Sequence, residues 1–284
     1  MSRRSGTVAA AWTALIAATT AVYAPVVTKL VADWWSDPDY SHGLLCAPLA
    51  VGIAVARRTE LARLAAAPSA IGLAGAGAAM AALGLGILGA ELFLTRISLL
   101  LFIASTILYV FGWRHLRVLA FPLALLLLSI PIPAIVTTRF TLPLQFAASA
   151  MAETSLGTLG IPVLRDGNVL VLPNATLQVA EACSGIRSLV SLIVLALVIA
   201  RFSERRAPAR TAIVCAALPV AVLVNGVRVT VTAAATYWYG TAAAEGVAHE
   251  AVGLLAFAVA FTMLLGCARA VNAVHVRHAI GVAP

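Results

Sequence analysis

The sequence predicts an all-α polytopic membrane protein of about eight transmembrane helices, with a small extracytoplasmic β-hairpin and an amphipathic helix before the sixth span. Three observations carry this expectation. Of 284 residues, 62% are apolar and only 11% charged, with a mean hydropathy of +1.01, whereas a soluble domain carries roughly a quarter of its residues charged. Apolar stretches recur at about the 20-residue length that a helix needs to cross ~30 Å of hydrocarbon. No polar stretch is long enough to build a soluble domain, so residues 1–284 read as one transmembrane domain.

The first apolar run, 8–27, follows Arg3-Arg4. It is longer than the ~7–15 residues of a signal-peptide core and reads as an uncleaved span, although Ala21-Val22-Tyr23-Ala24 ends in small residues. Further spans are expected at 43–56, 70–90, 96–112, 117–136, 184–200, 211–236 and 250–268, the second of them short. In the third, Gly72, Gly75, Gly77, Gly84, Gly86 and Gly89 favour close helix packing. With the N-terminus inside, this alternation leaves both termini cytoplasmic. The charges agree: Arg3, Arg4, Arg57, Arg58, Arg63, Arg114, Arg117, Arg201, Arg205, Arg206, Arg210, Arg269 and Arg277 fall inside, 13 of the 19 basic residues. Of the 11 acids, only Glu60 and Glu204 join them, the asymmetry that the positive-inside rule describes. The net charge of +8 therefore belongs to helix ends. It forms no groove-length stripe, so nucleic acid is not an expected partner and membrane lipid is.

Two polar segments fall on the outer side. Residues 32–42 hold Asp33, Asp37 and Asp39 with Trp34, Trp35 and Tyr40, which read as an interfacial aromatic belt. Residues 137–180 form the longest stretch outside the spans. They are expected to open with an amphipathic helix over Leu142–Leu159, after the helix-weakening Pro131 and Pro133. A hairpin over 163–172 follows, because Asp166-Gly167 and Pro173-Asn174 are turn signals between alternating β-branched runs. That segment leads directly into Glu181-Ala182-Cys183.

Cys46, Cys183, Cys215 and Cys267 share no C-x-x-C spacing, so neither a metal site nor a disulfide framework is indicated, and no cofactor is expected. Cys46, Cys215 and Cys267 read as packing residues. Cys183 lies instead at a loop-to-helix junction among Glu181, Ser184 and Arg187, where the positive end of a helix dipole favours thiolate. Arg228 stands 17 residues beyond Thr211, about 25 Å along a helix and hence near the outer face. His249 opens the last span on that same face. A thiol, an imidazole and a guanidinium at one depth are a nucleophile, a general acid–base and an oxyanion stabiliser. Structural readings stand beside these: Arg228 as a snorkelling residue or a helix tie through Asn225 and Thr230, and His249 with Glu250 as an interfacial pair.

Over nearly its whole length the chain resembles the exosortases, the bacterial branch of the exosortase/archaeosortase family. The resemblance rests on Asp39-Tyr-Ser-His-Gly43, Ile130-Pro-Ile-Pro133, Pro143-Leu-Gln145, Gly160-Ile-Pro162 and Arg165-Asp-Gly-Asn168. It continues in Val179-Ala-Glu-Ala-Cys-Ser-Gly-Ile-Arg-Ser188, Asn225-Gly-Val-Arg-Val229 and His249-Glu-Ala-Val-Gly253. It implies a cysteine transpeptidase of the bacterial inner membrane, with Cys183, Arg228 and His249 catalytic and the active site on the outer side. The implied substrate is an exported protein with a C-terminal Pro-Glu-Pro-type motif, a transmembrane helix and a basic tail. It would be cleaved through a Cys acyl-enzyme and passed to a surface acceptor. Glu181, Ser184, Arg187 and Asn225 are candidates for binding substrate or supporting the triad. Arg187 competes with Arg228 for the role of orienting the thiolate or binding a carboxylate. His42 reads either as a residue lining the site or as an interfacial structural one. The alternatives from other classes are a transporter or flippase of a lipid-linked sugar and a membrane-bound acyltransferase.

Overall fold

The computed structural model describes residues 2–179, 186–204, 206–244 and 246–280. Its contacts divide the chain into two compact units, 1–132 and 133–284. The boundary falls within Ile130-Pro-Ile-Pro133, where two prolines remove helix donors and bias the residues before them away from the α conformation.

The first unit contains α1 (Ser2–Ser36), α2 (Gly43–Ala56), α3 (Arg58–Arg63), α4 (Ile71–Leu88), α5 (Leu92–Val110) and α6 (Trp113–Leu128). Close approach of α4 and α5 depends on small residues. A Cβ at Gly72 would lie 2.3 Å from the Tyr109 nitrogen, and one at Gly75 would lie 2.4 Å from Ser105 Oγ. Gly86 faces Thr95 in the same way, whereas Gly77 and Gly84 face open space. Packing thus explains only part of the glycine-rich run.

α1 continues well past the expected end at residue 27. Asp33 stays within the helix because Lys29, one turn earlier, bonds it at 2.8 Å and the buried Arg96 of α5 pairs with it. Trp34 also departs from the belt reading. It is 6% exposed, and its Nε1 donates to the Ser129 carbonyl at 2.7 Å, while neighbouring Trp35 is 82% exposed.

The second unit contains α7 (Ala134–Thr158), strands β1 (Leu164–Asp166), β2 (Val169–Leu172) and β3 (Ala175–Gln178), then α8 (Ile186–Ser203) and α9 (Ala207–Tyr239). A 3₁₀ turn at Thr241–Ala244 leads into α10 (Gly246–Ile280). Two expectations are corrected here. The span drawn over 117–136 is cut at Leu128, and its last residues start α7, which therefore begins eight residues before Leu142. The hairpin is a three-stranded antiparallel sheet in the order β1-β2-β3. Pro173-Asn174 turns the chain into a further strand that registers Leu172 with Ala175 and Val169 with Gln178.

α9 organises this unit. Its first half packs Ile213, Ala217, Val220 and Val224 against Leu189, Leu192 and Ala196 of α8 and Ala260 and Leu264 of α10. Its second half packs Val229, Ala233 and Ala234 against Ala148, Ala152 and Leu156 of α7 and Leu170 and Leu172 of the sheet. Asn174 ties the β2–β3 turn to the end of α9 by donating to the carbonyls of Thr236 and Tyr237 at 3.4 and 3.0 Å.

Among the described residues, five helical segments are long and apolar enough to cross a bilayer: Thr13–Ser36, Ile71–Leu88, Leu92–Val110, Ala207–Tyr239 and His249–Ala273. α2 is a shorter apolar helix, and α6 has 16 residues, about 24 Å. The chain is a multi-pass membrane protein built almost wholly of helices.

Candidate functional site

The site lies where α9 passes between its two cores. Arg228 stands at that transition, one residue before Val229 and one turn after the buried Asn225. Gly226 beside it allows α7 to approach, since a Cβ there would lie 2.5 Å from Met151 Cε. Gly240, at φ +85°, ends α9 in a backbone conformation that L side chains rarely adopt. The chain then returns through the 3₁₀ turn into α10, whose first turn holds His249.

Arg228 Nη2 and His249 Nε2 are 2.9 Å apart. A guanidinium has only donors, so this bond makes Nε2 the acceptor, which leaves the imidazole neutral with its proton on Nδ1. Gly253, one turn beyond His249, provides the room. A Cβ at Gly253 would lie 3.0 Å from Arg228 Nη2 and 3.2 Å from Cζ, so the guanidinium rests close against the α10 backbone. The role of Gly253 is missed by a reading that weighs only ionisable and nucleophilic residues. Its signal was the His-x-x-x-Gly spacing, which puts both residues on one helical face.

A cavity of about 10 Å³, room for a single water, lies beside the guanidinium. Its walls are Ser188 and Leu192 of α8, Asn225 and Arg228 of α9, and Phe257 of α10. Ser188, in the first turn of α8, is a polar residue to which the sequence assigns no role beyond its place in the family motif. α8 thus begins beside the Arg228–His249 pair.

Of the expected site residues, Arg228, His249 and Asn225 come together. Arg187 is exposed at the start of α8. Glu181, Cys183 and Ser184 lie outside the described residues. Three free cysteines are described, Cys46 buried, Cys267 partly buried and Cys215 exposed. His42 belongs to the first unit, where its Nε2 donates to the Leu128 carbonyl at 3.1 Å and joins the start of α2 to the end of α6. Nearby Tyr40 bonds the Ile132 carbonyl at 3.3 Å, and burial, then Asp37 and Asp39, push its phenol above the usual tyrosine range. These contacts give Asp39-Tyr-Ser-His-Gly43 a structural task, and Gly43 has one too, since a Cβ there would meet the Trp34 ring at 2.3 Å.

No curated protein and no solved structure matches the chain. A family model described as transmembrane exosortase matches residues 34–266. The matched stretch begins at the buried Trp34 and runs through the Arg228–His249 pair to the middle of α10, most of the chain, and on it the protein belongs to the transmembrane exosortase family.

Proposed function

We propose that the protein is a membrane-embedded cysteine transpeptidase of eight spans with both termini cytoplasmic. In this reading it works at the outer face of the bacterial inner membrane and cleaves a C-terminal Pro-Glu-Pro-type sorting signal from exported proteins. The observation that carries the reading is the 2.9 Å contact between Arg228 and His249, made beside the start of the helix that follows Cys183. A neutral imidazole is an acid–base catalyst suited to activating a thiol nucleophile. The guanidinium bonded to that imidazole is a donor suited to an oxyanion.

The steps follow from those groups. In the resting site Arg228 occupies the His249 Nε2 lone pair. When the substrate carbonyl arrives, the guanidinium turns to its oxygen and Nε2 is released to take the Cys183 proton. Sγ then attacks the carbonyl carbon, and the charge on oxygen is held by Arg228. Collapse breaks the C–N bond, and the leaving amine takes the proton from His249, giving a thioester and a freed tail of transmembrane helix and basic residues. A hydroxyl of water, lipid or glycan, deprotonated by His249, attacks the thioester and returns the thiolate. Asn225, Arg187, Glu181 and Ser184 are the candidates for orienting these groups.

The test is mass spectrometry of a co-expressed protein with a Pro-Glu-Pro tail. The wild type is expected to shorten it, and Cys183→Ala to leave it full length while remaining inserted and abundant. Full processing by Cys183→Ala sinks the reading.

A further inference from the structure

In the second unit, a cleft of about 350 Å³ opens between α7 and the end of the sheet, within the ~300–1,000 Å³ typical of ligand sites. Thr138, Thr141 and Gln145 form its α7 wall, and Asn168, Gln178 and Val179 face them. Among the described residues, no lining side chain is ionisable or aromatic. Two sequence motifs that the triad does not use meet here, Pro143-Leu-Gln145 and Arg165-Asp-Gly-Asn168.

A chain of hydrogen bonds decides which way the amides point. Asn168 Nδ2 donates to the Val179 carbonyl at 3.4 Å, which can only accept. The same Nδ2 donates to Gln145 Oε1 at 3.0 Å. With its oxygen engaged, Gln145 must turn its NH₂ group the other way, into the cleft. Gln145 is 4% exposed, and its NH₂ has no acceptor among the described residues. Thr141, one turn earlier and 6% exposed, is similar: its hydroxyl bonds no carbonyl of its own helix, whereas Thr137 and Thr138 both bond Ala134. Two donors on otherwise buried side chains, with no acceptor among the described residues, therefore stand in a row along α7 and face the cleft.

Their spacing identifies the acceptor. Residues i and i+4 of a helix are about 6 Å apart along its axis, and alternate carbonyls of an extended chain recur at about 6.6 Å on one side. Among the described residues the cleft has no cation for a phosphate and no aromatic face or carboxylate for a sugar. Val179 precedes Cys183 by four residues, which span at most about 14 Å.

We infer that this cleft is a substrate subsite. It holds an extended, uncharged stretch of the polypeptide substrate beside the scissile bond, with successive same-side backbone carbonyls accepting from Thr141 and Gln145 and the exposed Gln178 amide at the rim. The inference rests on the peptide-cleaving function proposed above.

The test is photo-crosslinking in the full-length membrane protein carrying Cys183→Ala, so that bound substrate is not turned over. The probe is an exported reporter ending in a Pro-Glu-Pro motif, a transmembrane helix and a basic tail. Thr138→p-benzoylphenylalanine, at the exposed rim, is expected to capture the reporter through residues next to that motif. Gln145→Leu and, independently, Gln178→Ala are each expected to lower the yield about tenfold. Gln178 is exposed, so its variant keeps the test open if Gln145→Leu does not insert. A reporter that the wild type cleaves but position 138 never captures overturns the subsite alone. Capture that both substitutions leave unchanged overturns it too, as does capture of a lipid or glycan in place of the reporter. A reporter captured with the expected losses but never cleaved by the Cys183 enzyme supports the subsite and refutes the proposed function instead.

Discussion

Gly253→Ala separates catalytic geometry from stability, because the two should move in opposite directions. The new methyl would lie 3.0 Å from Arg228 Nη2 and 3.2 Å from Cζ. Ordinary contacts of this kind fall near 3.5–4.0 Å, so the guanidinium must retreat by about 0.5 Å. Its bond to His249, now 2.9 Å, then stretches towards the edge of hydrogen-bonding range. A bond from a charged donor contributes about 1.5–3 kcal/mol. The same retreat draws the guanidinium away from the oxyanion it is proposed to hold, and losing roughly half of a charged-donor bond there, about 1 kcal/mol, predicts a five- to tenfold fall in processing rate. Glycine within a helix is itself less favourable than alanine by about 0.5–1 kcal/mol, so the melting temperature should hold or rise. Gly253→Val adds two further carbons in the same space and should reduce processing by about a hundredfold, the scale of a ~1 Å misplacement. The assay pairs mass-spectrometric cleavage rates of a tailed reporter with thermal unfolding of the purified protein. Wild-type cleavage by Gly253→Val would show that the guanidinium does not work from this position. A parallel loss of stability and activity would show that the glycine matters only for packing.

Other outcomes follow from the same geometry. His249→Gln keeps an oxygen acceptor for Arg228, so the protein should remain abundant while cleavage falls about a thousandfold for want of a base; near-normal rates would remove His249 from the chemistry. Arg228→Lys keeps the charge but not the planar fork and should lower cleavage about a hundredfold, measured with the same reporter. In intact cells from which the outer membrane has been stripped, a thiol reagent that cannot cross the inner membrane should label Cys183 and leave Cys215 unmodified. Labelling only after permeabilisation would reverse the proposed orientation. In the first unit, Arg96→Leu leaves Asp33 without its buried partner and should destabilise the protein by about 3 kcal/mol. Asp33→Asn in the same chain should restore part of that loss, as read by thermal unfolding.

What was legible in the sequence follows from what a one-dimensional pattern contains. Each apolar run lies on a helix because hydrocarbon leaves the backbone few alternatives, and composition alone reports that. Helix ends are set by particular residues, which composition does not report. Asp33 looked like a residue outside the membrane because its counter-ion, Arg96, is 63 positions away. Ala134–Val136 read as the tail of a span because apolar character does not distinguish the end of α6 from the start of α7, although Pro131 and Pro133 marked the break. β3 was overlooked because Ala175–Gln178 lacks the β-branched density of β2.

The site divides in the same way. Counting rise per residue was enough to expect Arg228 and His249 at one depth. It could not reveal that the two side chains bond directly, since depth restricts only one coordinate. Their bond changes the chemistry each can perform. An arginine free to meet an oxyanion from the outset would leave the His249 Nε2 lone pair open to any proton at rest. An arginine held on that lone pair keeps the imidazole from acting until an acceptor with a stronger claim on the guanidinium arrives. Under the proposed function, the carbonyl oxygen of a bound substrate, gaining charge as sulfur attacks, would be such an acceptor. In the proposed mechanism the pair would therefore link activation of the thiol to occupancy of the site, and Gly253 is the position at which that link could be disturbed without removing either partner.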